Sequence, residues 1–191
     1  MRSTNEIMNK FANLNKNKSY VFVQSGEGLV SDRIKNWSLN DMKMNDLENI
    51  IGEIPSHAGL LYYSYFYADW MVLESHFKSK GVHEITLTKW LRQYCKHADT
   101  IEFFEQAFDL SFARSLIGTH YGTMNIFRMS IERWLEFIFK ANLSFSMPFF
   151  GLVCSGYVAK VVPEICKFFE IKNYEVAPYH IKYFYKSKKT K

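Results

Sequence analysis

Hydrophobic positions follow two different rhythms along the chain. Tyr20-Val21-Phe22-Val23-Gln24 is a run of β-formers closed by Ser25-Gly26-Glu27-Gly28, which predicts a strand and a turn. Leu29, Val30, Ile34 and Trp37 are spaced as on one face of a helix. Asn40 to Ile51 reads as a further short amphipathic segment or an insertion, ended by Pro55-Ser56. Three strand-like runs follow: His57 to Tyr63, Trp70 to Phe77 and Val82 to Leu87. Turns at Tyr67-Ala68-Asp69 and Ser79-Lys80-Gly81 separate them, so a β-meander of three or more strands is expected. Thr88 is a candidate N-cap for a helix over Lys89 to His97.

The rest of the chain reads as more helical. Ile101, Phe104, Ala107, Phe108 and Phe112 predict a helix within Thr100 to Leu116, interrupted by Gly118-Thr119-His120-Tyr121-Gly122. Met124 to Phe139 carries an apolar stripe, and Pro148 to Gly151 breaks it. A helix is expected from Cys154 to Val162, with Pro163 kinking it or opening another. Val176-Ala177-Pro178 leads to a final strand-like run, Ile181 to Tyr185. Before the first strand, residues 1–19 form a polar lead-in with room for a short helix from Asn5 to Leu14. The segmentation therefore gives one α+β domain over residues 20–185 and a basic tail over 186–191.

Composition narrows the class. The 191 residues are 48% hydrophobic and 23% charged, enough to bury a core and too apolar for a disordered chain. Aromatic residues reach 17%, so large flat side chains dominate whatever core forms. The longest apolar runs are about half of the roughly 20 residues a spanning helix needs, so no transmembrane segment is expected. Met1 to Lys18 has no apolar stretch of the kind a secretory signal carries. Three cysteines, Cys95, Cys154 and Cys166, are too few for a disulfide framework and read as free thiols in a reducing, cytoplasmic setting.

The net charge of +5 sits largely at the ends, with Lys10, Lys16 and Lys18 at the start and Lys182, Lys186, Lys188, Lys189 and Lys191 at the tail. Such lysines are expected to be solvated. The body carries no groove helix, zinc finger or RNA-binding aromatic pattern, so no specific nucleic-acid partner is expected. The histidines and cysteines show no zinc-ligand spacing, and phosphate-cradling glycine motifs and a Gly-x-Ser-x-Gly elbow are missing; no metal or cofactor is expected.

Three residues carry candidate chemistry. Cys154 stands at the start of a predicted helix, where unpaired N–H groups and a partial positive charge favour a thiolate. The same residue also suits an aromatic core as a small buried side chain. His57 opens a strand, with Gly59 two positions on leaving space on the same face for a backbone or a ligand. Glu74 lies in the apolar run Met71-Val72-Leu73 of the next strand; if buried it needs a partner, and if not it faces solvent. The two are 17 residues apart. A simple hairpin brings them near the same end of adjacent strands. His76 shares that face and is the alternative third member, whereas Ser75 points away. His120, in the glycine-bounded loop, is the alternative base.

Ser56-His57-Ala58-Gly59, Val72-Leu73-Glu74, Gly118-Thr119-His120-Tyr121-Gly122 and Val153-Cys154-Ser155-Gly156-Tyr157-Val158, taken in this order, resemble the circularly permuted papain-like hydrolases of the NlpC superfamily. In that family the catalytic His precedes the catalytic Cys. Val176-Ala177-Pro178 resembles its closing segment, and the resemblance spans roughly residues 20–185. The opening strand departs from the pattern, ending in Gln24-Ser25-Gly26 where the family's usually ends in Gly-Asp, and the stretch from Ser38 to Ile54 is longer.

The resemblance implies an antiparallel sheet packed against helices and a cysteine hydrolase of amide or ester bonds. Cys154 would be the nucleophile, His57 the base and Glu74 the residue that holds the imidazole. It implies peptide or acylated small-molecule substrates, including cell-wall peptides. Without a signal peptide, an enzyme of cell walls would be released by lysis or carried in a phage particle. The Asn/Lys-rich composition is compatible with an AT-rich bacterial or phage genome. The alternative is a binding or structural protein that keeps the fold without turnover.

Overall fold

A computed structural model describes residues 4–26, 53–93, 98–122 and 151–189, with positions 32, 34–36 and 38 between them. In chain order the elements are α1 (Thr4–Ala12), β1 (Ser19–Gly26), β2 (His57–Ser64), β3 (Asp69–His76), β4 (Gly81–Thr86), α2 (Leu87–Gln93), β5 (Ala98–Glu105), α3 (Leu110–Ser115), α4 (Cys154–Val161), α5 (Glu164–Phe169), a 3₁₀ turn (Asn173–Glu175) and α6 (Pro178–Lys189). The fold is α+β. Its five strands form one sheet in the order β4-β3-β2-β1-β5, antiparallel at every junction.

Helices cover both faces of this sheet, which explains why its central strands are apolar on both sides. Val21, Val23, Leu60 and Leu73 pack with Tyr157, Val158 and Ile165 of α4 and α5 and with Ile181 and Phe184 of α6. Phe22, Leu61, Trp70 and Val72 point the other way, against Phe11 of α1 and Leu87, Trp90 and Leu91 of α2. Neighbouring side chains on one strand thus enter different cores.

The meander β2-β3-β4 forms as its turn residues require. Ala68 and Lys80 take left-handed backbone at the two hairpins, with φ of 49° and 62°. Several expectations are corrected. Ala98–Glu105 is a strand on β1, not the first half of a helix; Ile101 and Phe103 face one core and Phe104 the other, a period of two. Only the second half of that segment is helical, started by Asp109, whose carboxylate accepts from Phe112 N–H at 3.0 Å. The run Ile181 to Tyr185 lies inside α6, not a strand; Pro178 opens the helix, where its missing N–H costs nothing.

Thr88 is not an N-cap but lies inside α2, while Thr86 Oγ1 accepts from Lys89 N–H at 3.5 Å. Lys182 is not solvated: it is buried, bonded to Glu53 O at 2.6 Å and paired with Glu102 at 2.5 Å, which ties α6 to β5. The polar lead-in contains α1, whose Phe11 is buried edge-on to Trp90 and Phe103. The amphipathic segments at Asn40 to Ile51 and Met124 to Phe139, and Cys95 and His97, lie outside the described residues. No helix among the described residues is long and apolar enough to cross a membrane.

Candidate active site

Cys154 is placed by a crossing of three chain segments. Leu152 N–H donates to His120 O at 2.9 Å, Gly122 N–H to Leu152 O at 3.3 Å, and Ser75 Oγ–H also reaches Leu152 O. Gly151 makes the crossing possible: its φ is +83°, and a Cβ there would stand 2.2 Å from His120 O. Gly81 does the same on the other side, where a Cβ would meet Thr119 O at 2.1 Å. The segment 118–122 is therefore clamped between β4 and the residues that lead into α4. Val153 is extended and caps α4 with its backbone alone. Tyr157 N–H is bonded back to Val153 O at 2.8 Å. The N–H groups of Cys154, Ser155 and Gly156 precede it and have no acceptor within the helix.

His57 is the first residue of β2, opposite Gln24 of β1. Ser56 N–H donates to Gln24 O at 2.9 Å and fixes the entry of the strand. The space that Gly59 leaves is filled by the Phe22 ring; a Cβ there would lie 2.6 Å from it. The expected room for a ligand is thus occupied by an aromatic floor, 6.2 Å from the imidazole.

Extending the β2–β3 register from Leu60↔Leu73 puts His57 across from His76, and Glu74 across from Gly59. His57 therefore reaches Glu74 diagonally, over the missing side chain. His57 Nε2 lies 2.7 Å from Glu74 Oε2. The other ring nitrogen, Nδ1, is then the one that serves Cys154, with which His57 shares a hydrogen bond.

Glu74 is fully buried (0% exposed), and its hydrogen bonds among the described residues gather on Oε2. Trp90 Nε1–H donates to Oε2 at 2.9 Å, and His83 Nε2, directly across on β4, lies 3.6 Å from Oε1. Burial alone would raise its carboxyl, but the His57 charge and hydrogen bond, with smaller help from His76 and the Trp90 N–H, hold it below the usual carboxylate value. Burial alone would lower the His57 imidazole; the charges of Cys154 and Glu74, and hydrogen bonds to both, push it up to about 10. Burial alone would raise the Cys154 thiol. The His57 charge and hydrogen bond, then the N–H groups of Ala58 and Ser155, hold it below the ordinary value. Each group is thus pushed toward its charged form: the thiol toward thiolate, the imidazole toward imidazolium and the carboxyl toward carboxylate.

His76 shares the Glu74 face, as its strand position requires, and stands edge-on to His57 with centroids 5.5 Å apart. Burial and the His57 charge lower it to about 4, against the pull of the Glu74 charge, so it is neutral at pH 7. Ser75 points to the opposite face. His120 is exposed, and it is its carbonyl, not its ring, that supports the site.

Four contributors escaped the sequence reading. Trp90 lies buried on α2, and a buried indole N–H needs an acceptor, a need that is a usable signal. His83 is visible only once β3 and β4 are in register. Tyr121 lies by Cys154, whose charge, after burial, raises its phenol; its ring stands 5.9 Å from that of exposed Phe77. Gln24 is buried beside His57, with Oε1 lacking a hydrogen-bond partner among the described residues. Among the described residues no three side chains are arranged to hold a metal ion. No protein family, curated protein or solved structure matches the chain.

Proposed function

We propose that the protein is a cysteine hydrolase of amide or ester bonds, with the circularly permuted papain-like arrangement that its sequence resembles. One observation carries this reading: Cys154, His57 and Glu74 form a relay at a helix start, its thiol and carboxyl buried and its imidazole 17% exposed, with the thiol lowered and the imidazole raised.

In the proposed reaction the Cys154 thiolate attacks the substrate carbonyl carbon. The carbonyl oxygen gains the electron pair and is stabilised by N–H groups at the α4 N-terminus. The tetrahedral intermediate collapses, the bond to the leaving amine or alcohol breaks, and His57 Nδ1 supplies the proton that group takes. Water then attacks the thioester with His57 as base, releasing the acid and restoring the thiolate. Glu74 keeps its negative charge throughout and holds the ring by Nε2. Substrates are peptides or acylated small molecules.

The test uses p-nitrophenyl acetate and a peptide p-nitroanilide with mass spectrometry of the quenched protein. The wild type is expected to carry an acyl group on Cys154. Cys154→Ala should lose both adduct and turnover, with its melting temperature nearly unchanged. Full turnover in that variant overturns the assignment. Cys154 should also be alkylated by iodoacetamide at about pH 6, where Cys166, whose thiol is raised by burial, stays silent. Equal reactivity of the two thiols would instead mark a binding protein that keeps the fold without turnover.

A further inference from the structure

The β2–β3 hairpin ends in a tip of three consecutive exposed aromatic residues: Tyr65 is 69% exposed, Phe66 88% and Tyr67 57%. Turn residues are ordinarily small or polar, so this tip needs a reason. It is built as a rigid extension of the core. Tyr20 packs on Trp70, Trp70 on Tyr63, and Tyr63 on Tyr65, with centroids 5.9, 5.5 and 5.2 Å apart. Phe66 and Tyr67 pack edge to face at 4.9 Å.

Cations ring the tip. Lys16 Nζ sits 4.6 Å from the Tyr63 ring, and Tyr65 Oη–H donates to Asn17 Oδ1 at 2.5 Å. Lys18 is exposed and paired with Glu105 at 2.7 Å. Thr88 Oγ1–H donates to Asp69 Oδ2 at 3.2 Å, which brings the first turn of α2, with exposed Lys89, to the same end. The two carboxylates at this end, Asp69 and Glu105, are both engaged. Among the described residues, Lys16, Lys18 and Lys89 at this end outnumber its carboxylates Asp69 and Glu105, so the aromatic residues stand beside a net positive charge.

We propose that this tip docks the protein on an anionic lipid surface, with Phe66 inserted among the acyl chains, Tyr65 and Tyr67 at headgroup level, and Lys16 and Lys89 on lipid phosphates. Tyrosine suits the interface because its ring is apolar and its hydroxyl wet, and each nearby lysine adds attraction to an anionic leaflet. The Cys154–His57 site lies at the other end of the same strands. From Ser64 back to His57 is about 23 Å along β2. A docked molecule thus turns its site away from the lipid, toward substrates that arrive from the aqueous side.

The experiment is flotation of the full chain with vesicles of phosphatidylcholine alone and of phosphatidylcholine with about one third phosphatidylglycerol, at low and high salt. The wild type is expected to float with the anionic vesicles and to be released by salt. Phe66→Asp should lose roughly tenfold or more of the bound fraction. Lys16→Ala with Lys89→Ala should remove the preference for anionic lipid. Phe77→Asp, at the site end, should float like wild type, and the Phe66 and lysine variants should keep wild-type alkylation of Cys154. Failure of the wild type to float on either vesicle overturns the proposal. So does Phe66→Asp that floats unchanged, loss in Phe77→Asp instead, or a wild-type dimer that Phe66→Asp disperses without any vesicle binding. None of these outcomes depends on whether Cys154 turns over substrate.

Discussion

Glu74 on β3 and Glu84 on β4 each gather a polar cluster, and they do so on opposite faces of one sheet. Glu74 is completely buried and takes its bonds from His57 and Trp90. Glu84 keeps 19% of its side chain open and accepts from Tyr62 at 2.5 Å and Arg114 at 2.9 Å. The difference lies in the partner. A guanidinium is charged at every working pH, so the Glu84 cluster has one protonation state to offer and can only hold α3 against the sheet. An imidazole can lose its proton, and the one beside Glu74 is linked onward to a thiol. Burial, which makes an ion pair expensive to form, is what gives the Glu74 cluster its leverage over that thiol.

The largest break in this comparison comes from His57→Ala. Without the imidazolium, the Cys154 thiol returns toward its ordinary range or above, because burial, the largest influence, is then opposed only by the N–H groups of Ala58 and Ser155. Alkylation at about pH 6 should fall on the order of a hundredfold, in line with the thiolate fraction of a thiol of pKa about 8.5. Stability should change its pH shape as well. A raised His57 contributes stability in full below 6.5 and loses it as pH rises through about 10. A lowered Cys154 contributes in full above 9.0 and loses it as pH falls through its folded value. The two slopes cancel below 9.0, down to 6.5 or to the folded thiol's value, whichever is higher, since folding there only moves a proton from thiol to imidazole. Thermal melts should therefore show a plateau across that window and a fall above it. In His57→Ala the alkaline fall should vanish; a wild type whose stability declines steadily across the window would contradict the ion pair.

A smaller break is Glu74→Gln. The amide oxygen can still accept from Trp90 and His57, so the fold should persist. The charge is gone, however, and the imidazole pKa falls. Hydrolysis should slow by roughly tenfold to a hundredfold, less than on loss of His57. The alkaline limb of the rate profile should move to lower pH, because the imidazolium is now lost earlier. Glu74→Ala should be slower still. If the limb stays in place while His76→Ala moves it, His76 holds the ring.

How much of this could be read in the chain depends on whether burial is one-sided. Strands β1 to β4 were legible because runs of β-formers are separated by turn residues such as Tyr67-Ala68 and Ser79-Lys80; the turn expected at Ser25-Gly26 is corrected, since both residues continue β1 and pair with β5. β5 was not: Ile101, Phe104 and Phe108 imitate a helical stripe because both faces of the strand are covered, so period two leaves no polar side to see. α6 was hidden the opposite way, since contiguous Ile181 to Tyr185 masks the spacing of Tyr179, Ile181, Phe184 and Tyr185. Cys154, His57 and Glu74 could be named from their order. Their partners are harder to read: Trp90 comes from α2 with only its indole N–H as a signal, and His83 and Tyr121 reach the site through strand pairing and the glycine crossings, which local patterns do not encode.

The smallest effect tests the other half of the comparison. Arg114 is 43% exposed on its side chain and bonds both Glu84 and Tyr62, whose ring it also covers at 5.4 Å. Its pair with Glu84 is screened by water, so Arg114→Met should cost about 1 kcal/mol or less, with the methionine stem keeping part of the packing on Tyr62. Glu84→Gln should cost a similar amount, because the amide can still accept from one donor. Neither change reaches the Glu74 face, so the alkylation rate of Cys154 at about pH 6 and the alkaline limb of hydrolysis should match wild type. The double variant should lose less than the sum of the single losses, since the two residues share one interaction. A shifted limb in either single variant would mean that the two faces of the sheet are electrically coupled, and that the Glu84 cluster tunes the thiol as well as holding α3.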